Sequence, residues 1–307
     1  MSSLAQAVAE RTVVLDGGLA THLETLGADL SGGLWSARLL LDPDGRRLLG
    51  RAHDDFLRAG AQVLTTASYQ LGATSLRRTG QDPSQADALA ARSVEVARAT
   101  VHEAGGTAWV AGSVGAYGAL LADGSEYTGD YGFGDERETV QRLVEVHGPR
   151  VEALLAAGAD VVAVETVPRA AEVEAVATVL ERTGAPAWVS LAVAPGGATT
   201  RRGEPLADAA SSLTALPGLV AVGVNCVRPQ DVLPALVLLA PLGLPLVAYP
   251  NSGETWDAGA QRWTGSPGWD AAAVPSWLDA GARLVGGCCR VGPDQVARVR
   301  TVTSPRR

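Results

Sequence analysis

Eight short apolar runs, rich in β-branched residues, recur along the chain at intervals of tens of residues. Most of them are continuously apolar rather than alternating, which is typical of parallel strands that are covered on both faces. The predicted strands span residues 12–18, 62–68, 108–115, 161–167, 186–193, 219–226, 244–251 and 283–289.

Between these runs, apolar residues recur at three- and four-residue spacing, which predicts amphipathic helices, most clearly over 84–105, 136–159 and 169–184. The segments "LRAGAQ", "LAAGAD" and "LDAGAR" each place a glycine between a helix and the next strand, as a helix C-terminus prefers. Residues 116–135 and 251–270 are predicted to be long polar loops, which are often functional.

Eight strand-then-helix units predict a (β/α)8 TIM barrel, and we expect it to occupy residues 1–307 as one domain. The alternative is a doubly wound sheet, which usually has fewer strands. The first strand is followed by "DGGLAT", which lacks the G-x-G-x-x-G fingerprint of dinucleotide-binding folds.

The composition, 47% hydrophobic and 19% charged residues, suits a globular enzyme. A net charge of −8 argues against nucleic acid or an anionic membrane surface as a partner. The most apolar region, 234–250, is interrupted by Pro241 and Pro245, which favours helix, turn and strand over a membrane span. With no secretory signal and an odd cysteine count of 3, we expect a cytoplasmic protein with reduced thiols.

All three cysteines, Cys226, Cys288 and Cys289, lie at predicted carboxyl ends of strands, where TIM barrels carry their chemistry. Three thiolates suit Zn²⁺, and three protein ligands leave the fourth tetrahedral position open, as in catalytic sites. We expect Gly286 and Gly287 to allow the backbone bend that this requires. The alternatives are cysteines buried as small hydrophobic residues and a redox role for the adjacent pair.

Two carboxylates, Asp16 and Glu165, end strands that are otherwise apolar. A buried charge needs a partner. That partner is either an arginine in a buried salt bridge or a cationic group of a ligand, such as a substrate ammonium.

Seven segments, in order from residue 15 to residue 290, carry a resemblance to a known family: "LDGGLATHLE", "LWSARLL", "TASYQ", "VAGSVGAYGALLADGSEYTGDY", "GVNC", "YPNSGE" and "ARLVGGCCR". The chain resembles the zinc-dependent homocysteine S-methyltransferases, most closely the bacterial branch that uses S-methylmethionine or S-adenosylmethionine. The resemblance implies methyl transfer to L-homocysteine, giving methionine, with zinc held by Cys226, Cys288 and Cys289. It also implies substrate contacts, which fall on Asp16, Gly17, Glu165 and Asn225.

The methyl donor is expected to be S-methylmethionine, with S-adenosylmethionine as a second candidate, and not betaine. Aromatic faces attract a sulfonium cation, and the candidates are Trp35, Tyr69, Tyr117 and Tyr127. The amino-acid head needs an acceptor for its ammonium and a donor for its carboxylate. The candidate acceptors are Asp123, Glu126 and Asp130, and the candidate donors are Arg290 and the backbone of "YPNSGE".

Two functions from other classes remain open on the residues alone. A three-cysteine zinc site could activate water in a hydrolase or deaminase, with Glu165 as the general base. A thiolate-rich site could also serve as a zinc or redox sensor without turnover. The sequence makes no prediction of oligomeric state.

Overall fold

The computed structural model describes residues 2–257 and 262–304. Eight parallel strands form one sheet. A parallel bridge between Leu15 and Val63 joins the two edge strands and closes the barrel. The predicted (β/α)8 fold is confirmed. The barrel strands are β1 (Val13–Val14), β2 (Val63–Thr65), β3 (Trp109–Gly115), β4 (Val161–Val167), β5 (Ala187–Leu191), β6 (Leu219–Asn225), β7 (Leu246–Tyr249) and β10 (Ala282–Val285). Their order across the sheet is β1-β10-β7-β6-β5-β4-β3-β2. The strands β8 (Thr255–Asp257) and β9 (Arg262–Thr264) form a separate antiparallel hairpin.

Helices surround the barrel. The helices predicted over 84–105, 136–159 and 169–184 are confirmed as α5 (Ala86–Glu103), α7 (Glu136–Ala156) and α8 (Ala170–Thr183). The α-helices are α1 (Leu4–Glu10), α2 (Leu19–Thr25), α3 (Pro43–Arg58), α4 (Ala73–Arg78), α5 (Ala86–Glu103), α6 (Tyr117–Leu121), α7 (Glu136–Ala156), α8 (Ala170–Thr183), α9 (Leu206–Ala210), α10 (Pro229–Leu239), α11 (Val274–Asp279) and α12 (Pro293–Thr303). Short 3-10 helices span Trp35–Leu41, Pro83–Gln85, Ser125–Tyr127, Ser211–Ala215, Ala240–Leu242 and Ala271–Ala273.

The repeated glycine between helix and strand has a structural cause. Gly60, Gly158 and Gly281 have φ angles of 99°, 87° and 107°, in the left-handed region that glycine adopts without steric cost. The chain therefore reverses at the same point of three different repeats and enters the next strand in the same direction.

The strands bury both faces, which explains their continuous apolar runs. Along β4, Val162 and Val164 pack in the layer between strands and helices, whereas Val161 and Ala163 belong to the interior cluster. Side chains alternate between the two faces of a strand, so Glu165 continues the interior series and projects into the upper end of the barrel. The opposite end is plugged by α1, whose Leu4, Ala7 and Val8 belong to that same cluster.

Three further predictions from the sequence can be compared with this fold. Residues 234–250 form helix, turn and strand as expected, and no helix in the described part of the chain is long and apolar enough to cross a membrane. The loop predicted over 116–135 is partly wrong, because it contains α6, whose residues Ala119 and Leu120 are buried. Within 251–270 the structure shows the hairpin β8–β9, while residues 258–261 lie outside the described residues.

Candidate active site

The three cysteine sulfurs meet at the carboxyl end of the barrel. Cys226 follows β6 directly, and its Sγ lies 3.8 Å from that of Cys289. The Sγ atoms of Cys288 and Cys289 are 4.0 Å apart, and all three sulfurs lie within 4.8 Å of one another. A tetrahedral metal with metal–sulfur bonds of about 2.3 Å places its sulfurs about 3.8 Å apart. The cluster therefore has the dimensions of a three-sulfur metal site.

Two left-handed residues create this convergence. Cys226 itself has a φ of 51°, so the chain turns sharply as it leaves β6. After β10, a turn is closed by a hydrogen bond from the Val291 N–H to the Cys288 carbonyl, and its left-handed residue is Arg290, with a φ of 62°. The adjacent cysteines lie at the start of that turn.

The prediction that Gly286 and Gly287 supply the bend is wrong, because neither residue has a left-handed φ. Glycine is needed there for space. A Cβ at Gly286 would lie 2.7 Å from the carbonyl oxygen of Asp16, and a Cβ at Gly287 would lie 2.1 Å from a methyl carbon of Val291. The two glycines allow the cysteine turn to pack directly against the end of β1.

The Asp16 carboxylate is buried, and in the described structure another residue, Thr65, donates hydrogen bonds to it. The Thr65 N–H donates to Asp16 Oδ2 at 2.7 Å, and the Thr65 hydroxyl donates to the same oxygen at 2.9 Å. Burial raises the pKa of Asp16 to about 8, and the nearby Glu165 adds to this increase. The Thr65 hydrogen bonds lower the pKa but do not offset the effect of burial. Desolvation is thus the stronger effect at this carboxylate.

Glu165 lies on the same cavity wall. Its Oε1 accepts a 2.5 Å hydrogen bond from the Ser113 hydroxyl. Burial raises its pKa to about 7, despite hydrogen bonds from Ser113 and Tyr249 that lower it. Among the described residues, neither Glu165 nor Asp16 is in an ion pair with a basic side chain, so the buried-salt-bridge alternative is wrong. Two buried carboxylates without a counter-ion form a candidate binding site for a cation.

Asn225 and Gly17 line the cavity, as predicted, but their contacts within the protein are structural. Asn225 Oδ1 accepts from the Thr166 N–H at 2.7 Å and from the Ser190 hydroxyl at 2.8 Å, while its Nδ2 donates to the Thr166 hydroxyl at 2.8 Å. This clamp holds Thr166 at a φ of 64°, a rare conformation for a β-branched residue. At Gly17, a Cβ would lie 2.2 Å from the Val291 carbonyl oxygen, so only glycine fits.

An aromatic wall borders the cavity beside the sulfurs. Trp35 and Tyr69 meet edge to face with ring centroids 6.0 Å apart, and the Tyr127 hydroxyl lies 3.7 Å from Cys226 Sγ. All three residues line the cavity. The prediction for Tyr117 is wrong, because its ring packs against Tyr131 at 5.1 Å, away from the cavity lining.

The cavity encloses about 570 Å³, within the range of small-molecule sites. No arginine, lysine or histidine is among the described residues that line it. One oxygen of Glu126 and the Gln70 side-chain oxygen are buried there without a hydrogen-bond partner in the described structure. The cavity lining is therefore acidic, although burial raises the pKa of several of its carboxyl groups and so weakens their negative charge. Its six carboxylate residues are Asp16, Glu24, Asp29, Asp123, Glu126 and Glu165.

Two predicted recognition residues lie elsewhere. Asp130 is exposed and outside the lining, with a carboxylate oxygen 3.9 Å from Arg202 Nη1. Arg290 is engaged by Glu254, at 2.5 Å between Nε and Oε2, and it does not line the cavity. In both cases the side chain that was expected to bind substrate instead forms an ion pair within the protein.

Sequence reasoning missed Thr65 and Ser113, the residues that hold the two buried carboxylates. Both are small hydroxyl residues near the ends of predicted strands, in "LTTAS" and "AGSVG". An interior-facing hydroxyl at the end of a barrel strand is the signal that could have identified them.

Comparison with known proteins gives a consistent result. A family model described as homocysteine S-methyltransferase matches residues 13–303. A homocysteine S-methyltransferase from Escherichia coli is 43% identical over 301 residues, covering 94% of each chain, and one from Bacillus subtilis is 37% identical over 94% of this chain and 93% of its own. The crystal structure of the Escherichia coli homocysteine methyltransferase MmuM in a metallated form is similar, with a TM-score of 0.84, 41% identity and coverage of 97% of this chain and 98% of that one.

Proposed function

This chain belongs to the homocysteine S-methyltransferase family, and from that premise we propose that it transfers a methyl group from a sulfonium donor to the sulfur of L-homocysteine, giving methionine. The observation that carries the proposal is the convergence of three cysteine sulfurs within 4.8 Å in the same cavity as two unpaired buried carboxylates. Family membership favours methyl transfer over the hydrolase and sensor alternatives.

Cys226, Cys288 and Cys289 would hold a zinc ion, since their spacing fits the sulfur–sulfur distance of a tetrahedral site. Bound there, zinc would lower the pKa of the homocysteine thiol, so that its sulfur is a thiolate and nucleophilic at neutral pH. Among the described residues, the cluster contains only these three metal-ligating side chains, which leaves a tetrahedral position for substrate.

Asp16 and Glu165 bind the homocysteine ammonium in this proposal. Thr65 and Ser113 fix the orientation of the two carboxylates, and burial strengthens their interaction with a cation that enters the cavity. An amino acid anchored at this end places its side-chain sulfur toward the cysteine cluster. The contribution of these residues is positioning, on which an in-line displacement depends.

S-methylmethionine is the donor that the cavity favours, and S-adenosylmethionine shares its charged groups. Both carry a sulfonium, an ammonium and a carboxylate, for a net charge of +1, whereas betaine has a net charge of zero. An anionic cavity with an aromatic wall of Trp35, Tyr69 and Tyr127 discriminates by net charge and by the cation–π contact. As the methyl carbon moves, its bond to the donor sulfur breaks and that sulfur keeps the electron pair as a neutral thioether.

The test is mass spectrometry of the products formed from homocysteine with each donor at equal concentration. With homocysteine labelled in its carbon chain, we expect labelled methionine to form, and we expect this product to disappear after chelation and to return with added zinc. Turnover with betaine above that with S-methylmethionine would contradict the donor. Full zinc retention in Cys226→Ala, measured by metal analysis of the reduced protein, would contradict the ligand set.

A further inference from the structure

Three buried polar side chains form a chain behind the aromatic wall, outside the barrel. They are Arg150 and His147 on α7 and Glu172 on α8, with exposed fractions of 8%, 1% and 0%. None of them lines the substrate cavity. A buried network of this kind is costly unless every member is satisfied, so its contacts show what it supports.

Arg150 holds the segment that follows β2 against the end of β3. Its guanidinium donates to three backbone carbonyls, those of Tyr69 at 2.7 Å, Leu71 at 3.0 Å and Gly115 at 2.6 Å. The Tyr69 carbonyl also accepts from the Gly115 N–H at 3.1 Å. One side chain thus fixes the backbone on both sides of the Tyr69 ring, and the planar guanidinium reaches three acceptors that a lysine ammonium could not reach together.

The other end of the network holds Arg150 in place. An arginine can only donate, so Arg150 Nη1 makes the His147 Nδ1, at 3.2 Å, an acceptor. The His147 Nε2–H then donates to Glu172 Oε1 at 2.8 Å. Burial would raise the pKa of Glu172, but hydrogen bonds from His147, Tyr131 and the Tyr117 N–H hold it below its usual value. The carboxylate therefore balances the buried guanidinium across a neutral imidazole.

We propose that Arg150 is a positioning residue for the donor subsite: supported by His147 and Glu172, it fixes Tyr69 in the aromatic wall against which the sulfonium docks. This inference rests on the proposed function for its effect on turnover. Tyr69 contacts Trp35 edge to face within the cavity lining, so a displacement of its backbone moves the wall itself. A displacement of about 1 Å in a positioning group can cost about a hundredfold in rate.

A second cavity makes this proposal testable by chemical rescue. It encloses about 290 Å³ and is lined by Arg150, Leu71 and Gly72, together with the exposed residues Arg77 and Glu145. Because the cavity is reached from the surface, a small cation can enter when the Arg150 side chain is removed. Water can enter as well and satisfy the freed carbonyls, so the variant is expected to fold.

In Arg150→Ala, we expect kcat/KM for S-methylmethionine to fall by about ten- to a hundredfold, mainly through the donor KM. The homocysteine KM and the zinc content should stay within twofold of the unsubstituted protein. Guanidinium chloride, at concentrations far below those that denature, should restore part of the donor kcat/KM, and Arg150→Lys should not. In a Tyr69→Ala background, Arg150→Ala should cost little more, because the two residues act through one interaction.

A matched control separates positioning from general loss of stability. Val151 is also buried on α7, but it packs in the layer between strands and helices. Val151→Ala should lower the melting temperature without changing the donor KM. An Arg150→Ala variant with donor kcat/KM within twofold of the unsubstituted protein would overturn the proposal. A loss that guanidinium does not relieve and that Val151→Ala reproduces would overturn it as well.

Hydrogen exchange tests the inference without turnover. In Arg150→Ala, peptides that cover residues 68–72 and 115 should lose protection, and they should regain it with guanidinium. Unchanged protection there would contradict the role of Arg150, even if activity fell. If the unsubstituted protein transferred no methyl group from any donor, the proposed function would fail, while this measurement would still decide whether Arg150 orders the segment of Tyr69.

Discussion

At the scale of single residues, the site depends on two carboxyl groups whose pKa values burial raises to near neutral pH. The pKa of Glu165 rises to about 7 and that of Asp16 to about 8, because desolvation outweighs the hydrogen bonds that each carboxylate accepts. Between their ordinary pKa values near 4 and these raised values, the folded state binds more protons than the unfolded state. Folding stability therefore falls as pH rises through this window, and a bound ammonium offsets that loss.

The first prediction concerns Glu165→Gln, which keeps the shape of the side chain and removes its charge. A hydrogen bond to a charged group contributes about 1.5–3 kcal/mol, which corresponds to about ten- to a hundredfold in affinity. We expect the homocysteine KM to rise by that factor while the zinc content stays the same. A homocysteine dependence equal to that of the unsubstituted protein would exclude Glu165 from ammonium binding.

The second prediction is a pH dependence of amino-acid binding. Below about pH 7 the Glu165 carboxyl is protonated and loses its attraction for an ammonium, so affinity should decrease as pH falls from 8 to 6. Calorimetry with methionine is the measurement, because the product carries the same ammonium but no titrating thiol. The Glu165→Gln variant is the control, and its affinity should change less over the same range. A higher affinity at pH 6 than at pH 8 would contradict the assignment.

At the scale of elements, the sequence is a good guide to strands and a poor guide to side-chain partners. Parallel strands are buried on both faces, so their apolar runs locate them from composition alone, and the interior position of Glu165 follows from alternation. Arg150 and Glu172 could not be found in this way, because both occupy positions in helices where charged residues are common. Their burial depends on how α7 packs against α8 and the barrel, which no local pattern specifies.

The third prediction tests α1, the helix that plugs the end of the barrel opposite the cysteines. Leu4→Ala removes a buried side chain from the interior cluster and should lower the free energy of unfolding by about 2–5 kcal/mol, as for other buried leucines. Urea denaturation measures this loss, and Glu10→Ala, an exposed change on the same helix, should leave the stability within about 0.5 kcal/mol. Zinc content should be unaffected in both variants. A loss of metal in Leu4→Ala would show that the two ends of the barrel are coupled.

At the scale of the whole molecule, charge is distributed for cation capture. The chain has a net charge of −8, and its described cavity lining contains six carboxylate residues and no basic side chain. A cavity of one sign with low-dielectric walls focuses the field and raises the local concentration of an opposite charge. In the proposed function, a donor with a net positive charge would therefore be attracted to the site before any specific contact forms.

The fourth prediction is a salt dependence that differs between the two substrates. Because the Debye length falls from about 30 Å at 0.01 M to about 8 Å at 0.15 M ionic strength, kcat/KM for S-methylmethionine should fall several-fold over this range. Homocysteine is a zwitterion with no net charge, so its kcat/KM should change less. Steady-state kinetics with each substrate limiting in turn measures both values. Equal salt dependence for the two would show that the cavity charge does not select the donor.

The site joins parts of the chain that are far apart in sequence, since the Arg290 N–H donates to the Thr21 hydroxyl across 269 residues and Cys226 and Cys289 are 63 residues apart. On a translating ribosome that adds about 5–20 residues per second, the nascent chain carries Cys226 for about 3–13 s before the other two sulfurs are made. A lone thiol is a poor metal ligand, and the pairing of β1 with β10 forms only after β10 emerges. Completion of the three-sulfur cluster and of the β1–β10 pairing thus depends on the same late segment of synthesis, so the proposed metal site forms only when the barrel can close.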